Sequence, residues 1–222
     1  MTKMKSKRAI IFDLDGVIVD TAKYHYIAWR KIANDLGFDF SEKDNENLKG
    51  VSRVQSLEFI LQKGNIQLPQ IKIEQLLKDK NTHYLSLISK MNRSEMLPGI
   101  QKLLQVLHQE GIPFALGSAS KNARRILESL QITDLFSAIV DGTDVTKAKP
   151  DPEVFVKAAR KMCYTPKKCI VIEDSKAGIT AANSVGMTSV GIGDKTTLSN
   201  ADYILPDTKE LTLDFIKNLV LK

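Results

Sequence analysis

Two aspartates separated by one residue close a short apolar run near the start of the chain. Residues 9–12 are apolar, and Asp13, Leu14 and Asp15 follow before a glycine. This pattern is typical of a buried strand that ends in a loop. If the extended backbone continues through Asp15, both carboxylates point to one side and Leu14 turns into the protein. Ligands of open α/β sheets bind at such strand ends, and an Asx turn into a helix is the alternative.

A second acidic pair follows another apolar run. Glu173 and Asp174 come after residues 169–172, and Ser175 follows them. Between the two acidic pairs, Lys149 stands directly before Pro150, with a second proline two residues later. Because prolines stiffen the chain, we expect Lys149 to be held more firmly than a surface lysine.

A polar loop offers groups that bind anions. Residues 114–117 form a predicted strand, and the loop from Ser118 to Asn122 opens the next predicted helix. Hydroxyls and free backbone amides at a helix start attract negative charge. Plain capping of that helix is the alternative explanation.

The chemistry predicted at this edge of the sheet is phosphoryl transfer. Four acids are expected to converge there, namely Asp13, Asp15, Glu173 and Asp174. Like charges this close repel by roughly 1 to 4 kcal/mol per pair, so the cluster needs a counterion. Oxygen ligands without nearby cysteine or histidine favour a hard cation, and Mg²⁺ fits best. Ser118 and Lys149 add a hydroxyl and a positive charge around a transferring phosphate.

The order of the predicted elements explains how these groups meet. Residues 21 to about 92 have helical periodicity, including helices over 53–63 and 73–91, whereas strands and helices alternate afterwards up to a closing helix over 209–221. The sequence therefore predicts an α/β fold, a doubly wound parallel sheet with a Rossmann-like core and an inserted α-helical cap domain. We assign residues 1–19 and 93–222 to the core and 20–92 to the cap.

The predicted cap contributes a second anion-binding candidate. A glycine lies between two cations in the stretch from Lys49 to Arg53, where backbone amides and a guanidinium can bind an anion. The alternative is a helix connection in which Ser52 caps the helix over 53–63, and both explanations can hold together. His25 shares a helical stripe with Trp29, which favours a packed, hydrogen-bonded role over catalysis.

Composition narrows the classes of partner. The net charge is +6, but lysines and arginines are spread along the chain, so we expect no nucleic acid partner. Asp13 and Asp15 interrupt the only signal-like segment, and no apolar run is long enough to span a bilayer. The two cysteines, Cys163 and Cys169, have no metal-ligand spacing. We expect a cytoplasmic monomer that binds neither nucleic acid nor membrane.

The motifs occur in the order and spacing of a known family. The stretch 13–17, Ser118, the pair Lys149-Pro150 and the stretch 173–175 together resemble the haloacid dehalogenase-like superfamily, and the resemblance covers the whole chain. Residues 20–25, 48–53 and 118–122 are further similar to the sugar phosphomutases of that superfamily. Four motifs in register are a strong signal, where one alone would be weak.

The resemblance implies roles for individual residues. Asp13 would be the phosphorylated nucleophile and Asp15 the general acid/base, with Ser118 and Lys149 completing the catalytic set. Mg²⁺ would be held by Asp13, Asp15 through its backbone carbonyl, Glu173 and Asp174. The remaining motif positions would bind the substrate: Thr21, His25, Lys49, Gly50, Val51, Arg53, Ser118, Ala119, Ser120, Lys121 and Asn122.

The function implied is a phosphomutase that interconverts β-D-glucose 1-phosphate and glucose 6-phosphate through an aspartyl-phosphate enzyme and a glucose 1,6-bisphosphate intermediate. Such an enzyme must grip a second phosphate away from Asp13, and Arg53 with Ser120 and Asn122 supplies that grip. Two alternatives stay open at this point. A capped, Mg²⁺-dependent sugar-phosphate phosphatase would use the same nucleophile with water as acceptor. A non-enzymatic phosphoacceptor module would keep Asp13 without needing Asp15.

Overall fold

A six-stranded parallel sheet forms the centre of the computed structural model, which describes residues 7–48 and 51–221. The strand order is β3-β2-β1-β4-β5-β6. Every residue of β1, β2 and β4 is buried, which explains why these strands are apolar apart from Glu173 at the end of β4. The strands are β1 (Ala9–Phe12), β2 (Phe114–Gly117), β3 (Ala138–Val140), β4 (Cys169–Glu173), β5 (Thr188–Ile192) and β6 (Tyr203–Leu205).

Helices cover both faces of this sheet. Along β1, Ile10 and Phe12 belong to one apolar cluster, and Ala9 and Ile11 belong to another on the opposite face. The predicted α/β class and the doubly wound parallel sheet are confirmed. The helices are α1 (Ala22–Asp35), α2 (Glu42–Glu46), α3 (Arg53–Lys63), α4 (Gln70–Ile88), α5 (Ile100–Glu110), α6 (Ala123–Ser129), α7 (Glu153–Lys161), α8 (Lys176–Ser184) and α9 (Leu213–Val220).

The strand order reverses beside β1. The chain runs outward from β1 through β2 to β3 on one side, and through β4 to β6 on the other. The carboxyl ends of β1 and β4 therefore border the crevice in which ligands of open α/β sheets bind. This topology places the segments after Phe12 and after Ile172 next to each other, as their paired register shows.

Five of the described α-helices lie between β1 and β2 in the chain, and we call the first four, α1 to α4, the helical insert. They pack around an apolar cluster of their own that includes Trp29, Phe40 and Ile60. The division into core and cap domains at residues 20 and 92 stays a prediction. None of the described helices has the length and apolar character needed to cross a bilayer.

The predicted bounds of two helices are wrong. The helix expected over 73–91 runs from Gln70 to Ile88, because Pro69 serves as its N-cap position. The closing helix expected from residue 209 begins at Leu213, because the Thr212 hydroxyl accepts a hydrogen bond from the Phe215 amide and caps it there. The helix over 53–63 has the predicted bounds.

Candidate active site

The segment that leaves β1 brings two acids to one cavity. The Asp13 amide donates to the Ile172 carbonyl at 2.9 Å, which ties the end of β1 to β4. Leu14 is fully buried in the core, whereas Asp13 and Asp15 both line the cavity. Gly16 follows with φ of +77°, a conformation that favours glycine. The two carboxylates thus face the same cavity, although the regular strand ends at Phe12.

Lys149 joins the two strand ends. Its Nζ donates to Asp13 Oδ1 at 2.6 Å and to Glu173 Oε1 at 2.7 Å, and all three side chains are buried. Burial alone would lower the pKa of Lys149, but the two carboxylates outweigh it and raise that pKa above its usual range. The ammonium group is therefore a fixed positive charge beside Asp13.

One lysine does not balance this group of acids. Burial raises the pKa of Asp13 from 3.8 to about 7, with Glu173 and Asp15 adding to the rise and Lys149 opposing it. A raised pKa means that the site holds the negative charge of Asp13 at a cost. A further cation at this place would relieve that cost.

The acids are arranged so that a metal ion fits among them. Carboxylate oxygens of Asp13, Glu173 and Asp174 all lie within 4.8 Å of one another. This donor set consists only of oxygens, which suits a hard divalent cation. Neither acid of the second pair caps the helix after it, because the Ser175 side chain takes that role. The sequence-predicted contribution of the Asp15 backbone carbonyl stays a prediction.

Asp15 has a different environment from Asp13. The Thr21 hydroxyl donates a hydrogen bond to Asp15 Oδ1, and Thr21 is fully buried where α1 begins. Burial raises the pKa of Asp15, and the bond from Thr21 opposes that rise. A raised pKa favours the protonated form of this carboxyl group, and a general acid must carry a proton to donate.

A cavity of about 620 Å³ extends from these acids to the helical insert. Its volume is within the range of small-molecule sites. Both the core and the insert line it, so a ligand inside contacts each of them. The predicted residues on its wall are Asp13, Asp15, Thr21, His25, Val51, Arg53, Ser118, Ala119, Ser120, Lys121, Asn122, Lys149 and Asp174. Lys49 and Gly50 lie outside the described residues.

The polar loop after β2 is braced by its own side chains. Ser118 Oγ accepts from the Ser120 amide at 3.1 Å, and Ser120 Oγ accepts from the Asn122 amide at 3.2 Å. Asn122 occupies the N-cap position of α6 but makes no side-chain capping bond. Its Nδ2 donates instead to Asn81 Oδ1 of α4 at 2.9 Å, which links this loop to the insert. Capping of α6 therefore does not explain these polar side chains.

Arg53 is the first residue of α3 and lines the cavity from the insert side. Ser52 caps this helix in a reciprocal pair with Gln55, so the capping explanation for Ser52 is confirmed. Burial lowers the pKa of Arg53, which nevertheless stays charged at any physiological pH. A partly buried guanidinium beside a cavity is suited to bind an anion.

Lys80 is a buried lysine of the helical insert for which no sequence motif indicated a role. Lys80 is 2% exposed, and its Nζ lies 2.7 Å from His25 Nδ1. The same atom lies 4.7 Å from the ring centre of Trp29 and 4.5 Å from that of Tyr84. Burial lowers the pKa of Lys80 well below its usual value, with Arg53 adding to this. Helix packing, not a local motif, brings these groups together.

Asn45 is a second cavity residue that sequence reasoning missed. Its Nδ2 donates to the Ala22 carbonyl at 3.3 Å, while its buried Oδ1 has no hydrogen-bond partner among the described residues. A buried acceptor without a partner is costly unless a ligand or water satisfies it. Asn45 lies on the cavity wall, so a ligand hydroxyl can do so.

Comparison with known proteins places this geometry in a family. The sequence model of the haloacid dehalogenase-like hydrolases matches residues 10–192, and the chain belongs to that family. It is 45% identical over 211 residues to a β-phosphoglucomutase of Bacillus subtilis (strain 168), covering 94% of this chain and 93% of that protein. A crystal structure of β-phosphoglucomutase from Clostridium difficile superimposes with a TM-score of 0.91 at 42% identity, covering 96% of each chain. A phosphorylated carbohydrates phosphatase of Thermotoga maritima is 29% identical, covering 82% of this chain and 83% of that protein.

Proposed function

We propose that the protein is a Mg²⁺-dependent phosphomutase that interconverts β-D-glucose 1-phosphate and glucose 6-phosphate through glucose 1,6-bisphosphate. The observation that carries the proposal is the cavity with two unlike sides, because Asp13 and Lys149 line it from the core and Arg53 lines it from the helical insert. The 45% identity to a β-phosphoglucomutase over nearly the whole chain supports the same activity.

The residues of the core divide the chemistry between them. The Asp13 carboxylate attacks the phosphorus of a bound sugar phosphate, and the bond from phosphorus to the sugar oxygen breaks. Asp15 gives its proton to that oxygen, and in the reverse step it takes the proton from the attacking hydroxyl. Lys149 holds Asp13 in place and offers positive charge to the phosphoryl oxygens, and Ser118 offers a hydroxyl. Mg²⁺, held by Asp13, Asp15, Glu173 and Asp174, would neutralise the phosphoryl charge.

The far end of the cavity holds the second phosphate in our proposal. Arg53 supplies a guanidinium, and Ser120, Lys121 and Asn122 supply the facing loop. A bisphosphate intermediate must bind in two orientations, with either phosphate at Asp13. A cationic group at the far end favours both orientations of the bisphosphate equally, because in each orientation one of the two phosphates lies beside that group. Asn45 and His25 lie along the cavity between core and insert and are suited to contact sugar hydroxyls.

Hydrolysis of the aspartyl phosphate is the competing reaction. The relative from Thermotoga maritima is a phosphorylated carbohydrates phosphatase, so the same family includes enzymes that release phosphate. In our proposal the insert shields the acids from water, and the Asn81–Asn122 hydrogen bond, which links the insert to the loop after β2, helps to hold it there. Excluding water in this way favours transfer to a sugar hydroxyl. We further propose a cytoplasmic location for the enzyme. We also propose that it works as a monomer, since one chain lines the cavity from both the core and the insert.

Product analysis tests the proposal. The protein is incubated with Mg²⁺, β-glucose 1-phosphate and a trace of glucose 1,6-bisphosphate, and phosphorus NMR follows all species. We expect glucose 6-phosphate to form while inorganic phosphate stays constant. The α anomer under the same conditions is the control and should not react. Release of inorganic phosphate in step with substrate loss would make the protein a phosphatase.

A further inference from the structure

Glycines border both acids of the second pair. A Cβ atom built on Gly178 would lie 1.9 Å from Glu173 Oε1 and 2.0 Å from its carboxyl carbon. A Cβ atom built on Gly16 would lie 2.1 Å from Asp174 Oδ2. Each carboxylate therefore occupies the space that a side chain on the glycine would fill.

Space, not backbone conformation, explains the glycine at position 178. It lies in the first turn of α8, where glycine costs about 1 kcal/mol relative to alanine. Its backbone is helical, so alanine is allowed there on conformational grounds. Gly16 has φ of +77°, so any substitution there would also strain the backbone. Only a substitution at Gly178 tests the lack of space by itself.

Ser175 orients the same carboxylate from the other side. Its Oγ accepts from the Gly178 amide at 3.1 Å, which leaves the single hydroxyl proton free to be donated. That proton goes to Glu173 Oε2 at 2.8 Å, and the Ser175 amide donates to the same oxygen at 2.6 Å. With Oε2 held by Ser175, Oε1 faces Lys149 and the end of β1.

We propose that Ser175 and Gly178 are positioning residues that fix the Glu173 carboxylate toward Asp13 and thereby set the affinity of the divalent cation site. The inference rests on the proposed metal dependence and adds to it two residues that are not ligands. A carboxylate already held in one orientation loses little freedom when the cation binds. Groups that orient a metal ligand typically contribute a factor of about 10 to 100 to metal affinity.

Gly178→Ala tests whether the space beside Gly178 positions the Glu173 carboxylate. Mg²⁺ is titrated by calorimetry into the metal-free, folded protein, and we expect the dissociation constant to rise by about tenfold or more. Gly64→Ala is the matched control, because its Cβ would lie 2.5 Å from the Phe38 ring in the helical insert, remote from the acids. This control should lower thermal stability and leave Mg²⁺ affinity unchanged. An unchanged dissociation constant in Gly178→Ala, or an equal rise in the control, would overturn the inference.

Ser175→Gly gives a second, independent reading if Gly178→Ala does not fold. The substitution removes the hydroxyl bond to Glu173 and the capping bond from the Gly178 amide, but glycine at an N-cap position retains most of the stability that serine gives. We expect weaker Mg²⁺ binding again, while Thr212→Gly, which alters the N-cap of α9 in the same way, should bind Mg²⁺ normally. Normal Mg²⁺ binding in Ser175→Gly would overturn this inference and leave the proposed metal dependence standing. A wild-type protein that binds no Mg²⁺ would overturn the metal dependence and this inference together.

Discussion

Two lysines with the same 2% exposure face one cavity and differ in every partner. Lys149, from the core, donates to two carboxylates within 2.7 Å. Lys80, from the helical insert, contacts a histidine nitrogen and two aromatic faces. Carboxylates raise the pKa of Lys149 against the effect of burial, whereas burial and Arg53 lower the pKa of Lys80.

The difference shows which charge is missing on each side of the cavity. We call the lining residues from the core the core wall and those from the helical insert the insert wall. On the core side the acids outnumber their lysine, so that wall favours a cation. On the insert side Arg53 brings a positive charge, and the pKa of Lys80 is lowered by burial and by Arg53, so that wall favours an anion, which would stabilise the charged form of Lys80. A buried charge without a partner is costly, and a ligand that supplies the partner gains that energy on binding. In the proposed function, a metal-bound phosphate on the core side and a second phosphate on the insert side would satisfy both walls.

Asp13→Asn should have the largest effect on activity. Asparagine keeps the shape of the side chain but cannot form an acyl phosphate, so we expect turnover to fall by about 10⁴-fold or more. The fold should survive, as circular dichroism can verify. Labelling with a phosphoryl donor should fail in the same variant. Undiminished turnover would refute the role of Asp13 as nucleophile. It would also refute the assignment of phosphoryl transfer to the core side of the cavity.

Lys149→Met should have the largest effect on stability in the comparison. Removing the ammonium group leaves Asp13 and Glu173 buried without their partner, and breaking a buried pair in this way costs about 3 to 5 kcal/mol. Denaturant unfolding of the metal-free protein measures the loss. Lys157→Met is the control, because that lysine is paired with Glu153 at the surface and should matter little. Equal losses in the two variants would contradict the buried pairing.

Arg53→Ala separates a two-phosphate site from a one-phosphate site. Arginine–phosphate contacts are charge-assisted, so conversion of the sugar phosphate should fall by a factor of about ten to several hundred. Phosphorylation of Asp13 by acetyl phosphate needs no distal grip and should be much less affected. Arg30→Ala, which removes an exposed arginine paired with Asp39, is the control. A similar loss with both phosphoryl donors would mean that Arg53 supports the fold of the insert.

The core wall could be predicted from the sequence because its signals are local. Buried parallel strands read as apolar runs, and each acid pair directly follows its run, so Asp13 and Glu173 could be located without tertiary information. The polar loop after β2 was found in the same way. Which oxygen of Glu173 faces Lys149 could not be predicted, because it depends on Ser175 and Gly178 in three dimensions.

The insert wall was predicted only where glycine and charge made a local pattern, as at Arg53. Lys80 and Asn45 have no such pattern, since each sits in a helix whose polar residues could all face solvent. Their places follow from how α1, α2 and α4 pack, which periodicity alone does not determine. The same limit explains the misplaced start of α4, because helical periodicity does not mark its first turn.

The increase in stability on binding Mg²⁺ should depend on pH. The pKa of Asp13 rises from 3.8 to about 7, so the stability contributed by its protonated form is lost as pH increases through that range. Mg²⁺ should therefore raise the melting temperature more at about pH 8 than at about pH 5.5, where it competes with the proton. At about 100 times the dissociation constant, the stabilisation at the higher pH should be about 2.7 kcal/mol. Sodium chloride at matched ionic strength is the control, and equal shifts at both pH values would contradict the raised pKa.

Lys80→Met should have the smallest effect on stability, in contrast to Lys149→Met. Methionine replaces a buried amino group whose pKa burial already lowers and which no carboxylate of the described residues hydrogen-bonds, so we expect the free energy of unfolding to stay within about 1 kcal/mol of wild type or to increase. Substrate binding should respond in the opposite sense, with KM for the sugar phosphate rising while phosphorylation by acetyl phosphate is maintained. Stability comes from denaturant unfolding and KM from initial rates. A loss of 3 kcal/mol or so, as expected for Lys149, would show that Lys80 is paired within the protein and that the insert wall does not depend on an anion to complete it.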